Sequence, residues 1–215
     1  MLKYLYQVFI SILLATPLHA QNRVDIGLFS QQDITLWKQK IFSGLTQYSL
    51  EHDNNIIILS ADSQQSASAF YKKIKVDLEK TPFLNWSWSK QKQINPGTES
   101  LKAGDDFVAR LYVIKDGGLL FWKTLSLNYV WSFQHSKNES WDSPFAGSKS
   151  KMVSLRGISD VNGVWFNEKR NVFQDFKNLL GKTIKTIDGV AIMTDSDNSG
   201  LSSKAYYGDI YFTAD

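Results

Sequence analysis

The residues best suited to chemistry in this chain are one arginine, a set of aromatic rings and a few acidic clusters. In Phe107–Ile114 (FVARLYVI), alternation puts Phe107, Ala109, Leu111 and Val113 on one face. Val108, Arg110, Tyr112 and Ile114 fall on the other. Burying an unpaired guanidinium costs several kcal/mol, so Arg110 requires water or a carboxylate partner. Tyr129 and Trp131 share a face in Leu127–Ser132, as do Leu84, Trp86 and Trp88 in Phe83–Trp88. Aromatic rings stack on the apolar faces of pyranose rings, while planar polar groups pair with their hydroxyls. Trp86, Trp88, Asp106, Arg110, Tyr112, Tyr129 and Trp131 therefore form the candidate saccharide-binding set. The alternative is that the indoles fill a core. Trp141, in the polar loop Ser132–Lys151, is the ring most expected to be exposed.

The acidic residues suggest metal or acid–base chemistry. Asp195-Ser-Asp197-Asn-Ser-Gly200 matches the opening of a calcium loop, with side-chain oxygens at alternate positions before a glycine turn. The twelfth position is Tyr206 rather than a bidentate Glu, which excludes an EF-hand. A partial calcium site at Asp195 and Asp197 stays open beside an Asx-rich turn bonded to its own backbone. Asp209, in the last strand, is a further calcium candidate by fold analogy, with Asp25 as its partner. Asp105-Asp106 offers a ligand pair, a charge partner for Arg110, or a turn before the strand. A glycosidase or lyase would need two carboxylates on one cleft face, for which Asp77, Asp106 and Asp195 are available.

Composition narrows the field. The 215 residues contain no cysteine and three histidines, which removes disulfides, thiolate metal sites and cysteine nucleophiles. A net charge of +3 falls short of a nucleic-acid footprint. Phosphate-binding, dinucleotide, nucleophile-elbow and zinc-protease motifs are missing. The 13% aromatic content is the informative excess.

The first twenty residues read as a secretory signal: Lys3, the apolar run Val8–Ala15, Pro17, then Leu18-His19-Ala20 as a cleavage-like end. That run is far shorter than the ~20 residues of a membrane span. Residues 21–215 are expected to form one domain, periplasmic or secreted from a bacterium, with no transmembrane segment after cleavage.

These side chains must be positioned by strands. Short β-like segments alternate with Gly/Asn/Asp turns at Thr46–Leu50, Asn55–Ala61, Phe83–Trp88, Phe107–Ile114 and Leu119–Trp122, and Ile74, Val76 and Leu78 alternate with Lys73, Lys75, Asp77 and Glu79. Further segments follow at Leu125–Ser132, Met152–Leu155, Val164–Phe166, Ile187–Thr194 and Lys204–Thr213. Only Arg170–Leu180 has helical spacing, with Gly181 placed as its cap. One helix among many strands predicts an all-β, two-sheet sandwich of the jelly-roll type.

Several stretches carry a resemblance. They include Thr81-Pro-x-Leu84-x-Trp86-x-Trp88, Lys102-x-Gly104-Asp105-Asp106-Phe107-x-Ala109-Arg110-x-Tyr112-Val113 and Asn128-Tyr-Val-Trp131. Arg170-Asn171-Val172-x-x-Asp175-Phe176, Gly189-Val-Ala-Ile-Met-Thr-Asp-x-Asp-Asn198 and Ala205-Tyr206-Tyr207-Gly208-Asp209-Ile210 complete them. The chain resembles the exported bacterial family known as domain of unknown function 3047. The resemblance implies one periplasmic domain, shaped like a galactose-binding or carbohydrate-binding module, and supplies no catalytic residue. The expected function is a non-catalytic glycan-binding module, in which Arg110 pairs with acidic or hydroxyl groups while Tyr112 and Trp131 stack. A glycoside hydrolase or polysaccharide lyase is one alternative, and an envelope interaction scaffold is another.

Overall fold

The computed structural model describes residues 23–120 and 123–215. The signal-like segment Met1–Ala20 and the end of the expected Leu119–Trp122 strand lie outside them. The first half supplies β1 (Arg23–Gly27), β2 (Lys38–Ser43), β3 (Gln47–Asp53), β4 (Ile56–Gln64), β5 (Ala67–Asp77), β6 (Phe83–Lys92) and β7 (Arg110–Lys115). The second half supplies β8 (Leu125–Trp131), β9 (Ser140–Ser143), β10 (Gly147–Arg156), β11 (Phe166–Asn171), β12 (Thr186–Met193), β13 (Ser202–Tyr207) and β14 (Ile210–Thr213). The helix α1 (Val172–Leu180) lies between β11 and β12, capped by Asn171, which accepts from the Gln174 N–H, and by left-handed Gly181.

Two sheets face each other. In the first, β1-β14-β6-β13-β4-β3 are neighbours and β11 pairs with β6; the second runs β2-β5-β12-β7-β8-β10-β9. All pairings are antiparallel except β8 with β10. The expected single strand Lys204–Thr213 is broken at Gly208-Asp209, so β13 and β14 pair with successive stretches of β6. Gly208 donates its N–H to the Ser87 carbonyl, and a Cβ there would lie 2.2 Å from the Ser87 Oγ, so a larger residue would require the Ser87 hydroxyl to turn away.

Alternation along each strand decides what the core contains. Leu111, Val113, Leu127, Tyr129, Trp131, Val190 and Ile192 from the second sheet meet Leu59, Leu84, Trp86, Trp88, Tyr207 and Phe212 from the first. Trp86 packs edge-on to Trp88 and tilts against Tyr129, while Trp88 packs on Trp131. Burying rings this large drives the sandwich closed, at about 25 cal/mol per Å² of apolar surface removed from water. Three of their polar ends are met at the core margin, while the buried Trp86 Nε1 has no hydrogen-bond partner. The Trp131 Nε1 donates to the Gly157 carbonyl, the Trp88 Nε1 to Glu168, and the Tyr129 hydroxyl to Asp175 of α1.

The expectation that Trp86, Trp88, Tyr129 and Trp131 line a ligand cleft is therefore corrected. They are 2%, 0%, 0% and 0% exposed. The reason is register: Leu111 pairs with Tyr129 and Tyr112 with Asn128, so Tyr129 sides with the core-facing Leu111 and not with Tyr112. Trp141 is half-buried on the edge strand β9, its ring stacked 3.7 Å from that of His135.

Candidate functional site

The second sheet has an outer face. Residues alternate to those in the core form cross-strand rows, because directly paired residues point the same way. One row crosses the whole sheet: Lys38 pairs with Tyr71, Tyr71 with Ala191, and Ala191 with Tyr112. It continues from Tyr112 to Asn128, Met152 and Trp141. The next row holds Lys73, Gly189, Ile114 and Ser126. Small residues of β12 thus make a floor between β5 and β7. Tyr71 and Tyr112 stand on either side of Ala191, two inter-strand spacings or about 10 Å apart.

A groove of about 290 Å³ opens over this floor, lined by Tyr71, Ile114, Gly189 and Ala191 with Lys40 and Lys73 at its rim. Its carboxylates are Asp116 and Asp188, and Asp188 is held by the Lys115 Nζ at 2.7 Å. Tyr71 and Gly189 are groove residues that the sequence reading missed. A glycine inside a strand, in register with a tyrosine-bearing neighbour, was the available signal, since such a glycine marks close approach by a ligand or backbone.

Arg110 lies one row away, facing the same side, yet only 3% exposed. Its Nη1 donates to Asp105 Oδ2 at 3.2 Å and to the Tyr112 hydroxyl at 2.9 Å. Its Nη2 donates to Asp195 Oδ2 at 2.7 Å and to the Asp105 carbonyl at 2.8 Å. The guanidinium also lies 4.4 Å from the centroid of Phe107. Arg110 is thus consumed by internal partners, which corrects the expectation that it meets a ligand. Of the roles open to Asp105, charge partner is the one observed. Tyr112 pairs with Ala191 of the floor but does not itself line the groove, and its hydroxyl is tied to Arg110.

Asp106 is 1% exposed and accepts from the backbone N–H groups of Asn198 and Ser199. Asp195 also accepts from the Phe107 N–H. Burial pushes the Asp195 and Asp105 carboxyls above the usual carboxylate range; Arg110 opposes this, and Asp106 adds to it for both. Asp197 is raised for the same two reasons, burial and Asp106. One guanidinium is shared among several acids. Asp106, Asp195 and Asp197 each bring an oxygen within 4.8 Å of the others. That spacing matches the width of a calcium shell with oxygens at about 2.4 Å.

Asp209 does not join them. It follows β13 whereas Asp195 and Asp197 precede it, and a six-residue strand separates the two ends by about 20 Å. Both Asp209 oxygens accept from Ser30, through its N–H and its hydroxyl. Asp25, the expected partner, pairs with Arg23. Asp77 accepts from the Glu79 N–H in a turn at the end of β5, in register with Thr186 rather than with the Arg110 end. The three carboxylates considered for catalysis are not gathered in the groove.

Residues 35–211 match the model of a family described as protein of unknown function, DUF3047. The chain belongs to that family. No curated protein matches it in sequence. The DUF3047 chain is similar in fold to a family 11 carbohydrate-binding module from Clostridium thermocellum, solved with a β-1,3-1,4-mixed-linked tetrasaccharide. Identity is 9%, coverage 89% of this chain and 95% of that one, and the TM-score 0.50. A family 30 carbohydrate-binding module of a C. thermocellum cellulosomal cellulase matches at 8% identity, covering 84% and 92%, with a TM-score of 0.49. A cellulase derived from the Cel12A enzyme of Rhodothermus marinus matches at 9% identity, covering 87% and 97%, with a TM-score of 0.49. The DUF3047 fold is the jelly-roll sandwich.

Proposed function

We propose that this protein is an exported, periplasmic, non-catalytic module that holds a glycan on the outer face of its second sheet, between Tyr71 and Tyr112. The observation that carries the reading is the row in which these tyrosines flank Ala191 over a floor completed by Gly189. A sugar ring lying there would meet the Tyr71 ring and a flat, small-residue base, with Tyr112 one strand beyond. Lys40 and Lys73 give the rim positive charge, which favours glycans bearing carboxylates. The commitment of Asp188 to Lys115 supports binding rather than hydrolysis.

Affinity electrophoresis in gels containing polygalacturonate, alginate or neutral glucans tests this. Wild type is expected to be retarded by an acidic polysaccharide. Tyr71→Ala should weaken retention by about tenfold, equivalent to ~1.4 kcal/mol. Lys73→Glu, at an exposed position, should weaken retention by acidic polymers selectively. Equal retention of wild type and both variants, or no retention of wild type, would remove the proposal.

Calcium belongs to the same reading as a structural ion at Asp106, Asp195 and Asp197. A carboxyl whose folded pKa exceeds its unfolded value, about 4, binds its proton more tightly when folded. Its stabilising contribution is present at low pH and is lost as pH rises through the folded pKa. Asp105, Asp195 and Asp197 all shift this way. The melting temperature in chelator is therefore expected to fall as pH rises above the unfolded carboxyl value of about 4. Added calcium should restore it at the higher pH. No recovery with calcium would remove the metal, and a melting temperature that rises with pH would contradict the protonation account.

A further inference from the structure

A second cleft lies on the outer face of the opposite sheet and is not part of the groove. It has a volume of about 520 Å³ and is lined by Trp165, Asp53, Asn85, Asn167, Lys169 and Asp209 among others. That volume falls within the ~300–1,000 Å³ of small-molecule sites. One wall is the β3–β4 hairpin and the other is the segment leading into β11. Trp165 is half-exposed, unlike the core indoles, and its Nε1 donates to Asp53 Oδ2 at 2.7 Å.

The wall that carries Trp165 is anchored from beneath. The Lys90 ammonium, 2% exposed, donates to the Ile158 carbonyl at 3.1 Å, and the Gly163 N–H donates to the Lys90 carbonyl. The Trp131 indole N–H holds the Gly157 carbonyl from the core. The polar lining is oriented as well. Asp209 is fixed by Ser30, and the Asn85 amide nitrogen by the Phe83 carbonyl and the Thr213 hydroxyl, leaving Asn85 Oδ1 as an acceptor. Gly208, having no side chain, brings the backbone into this lining beside Ser87.

We infer that this cleft is a second binding site, for a neutral mono- or disaccharide unit that stacks on Trp165. Asp53 and Asp209 accept from ring hydroxyls, Asn85 and Asn167 pair with others, and Lys169 donates. Of the three carboxylates in the lining, Glu168 is held by Arg156; Asp53 and Asp209 against the Lys169 ammonium disfavour an anionic sugar, the reverse of the groove across the sandwich. The two faces thus select different parts of a glycan.

Isothermal titration of the full chain with cellobiose, maltose and laminaribiose tests the site, with digalacturonate as the anionic comparison. At least one neutral disaccharide is expected to bind, and digalacturonate should not displace it. Trp165→Ala should weaken binding at least about tenfold. Asn167→Ala, at an exposed position, should weaken it without moving the melting temperature. Tyr71→Ala should leave it unchanged, so that loss of the groove and loss of this cleft are read separately. Absence of heat with every neutral disaccharide would overturn the inference, as would unaltered affinity in both Trp165→Ala and Asn167→Ala.

Discussion

Arg110→Ala is expected to destabilise the whole domain rather than empty a binding site. Removing the guanidinium leaves Asp105 and Asp195 buried with no cation, and breaking a buried pair from one side costs about 3–5 kcal/mol. Against a typical stability of ~5–15 kcal/mol that is a large share. For a domain of this size it corresponds to a melting temperature lower by roughly 6–20 °C. The cost comes from the stranded acids, so Arg110→Met combined with Asp105→Asn and Asp195→Asn should recover much of it. Calorimetry of the single and triple variants checks both parts. A single variant melting within about 2 °C of wild type would show that the ion cluster does not hold the loops together.

Trp131→Ala is expected to cost a similar amount, about 3–5 kcal/mol, as large-to-small replacements of buried aromatics do. Trp131 is fully buried, packs against Trp88 and Phe166, and anchors the Gly157 carbonyl through its indole N–H. Trp131→Phe keeps most of the packing and loses the hydrogen bond, so it should lose about 1–2 kcal/mol less than Trp131→Ala. Chemical denaturation separates this from a ligand-stacking role. A stacking residue would leave the transition midpoint in place when truncated, and Trp131→Ala should shift it strongly.

Much of the fold was legible from period-two alternation and turn residues. Asn54 and Asn55 take left-handed conformations between β3 and β4, and Gly163 does so shortly before β11. Asn171 and Gly181 bound α1 where its apolar spacing ends. Strands β1, β2 and β9 were not found in the sequence. All six residues of β2 are exposed, so it carries no buried face for a pattern to report.

The site was half legible. Alternation correctly separated Arg110 and Tyr112 from Leu111 and Val113. It could not say which strand pairs with which, and only the pairing of Tyr112 with Asn128 decides that Tyr129 and Trp131 turn inward. Nor does a strand pattern show that Tyr71, distant in sequence, is brought by β12 to the same row as Tyr112. The acids around Arg110 come from the segment before β7 and the loop after β12, so their convergence is a property of topology.

The measurement closest to the central claim is a backbone-amide NMR titration of the full chain with oligogalacturonate. Binding on the outer face of the second sheet predicts shifts concentrated at Tyr71, Lys73, Gly189, Ala191 and Tyr112 on β5, β12 and β7. Shifts confined to β6 and β11, or none at all, would contradict it.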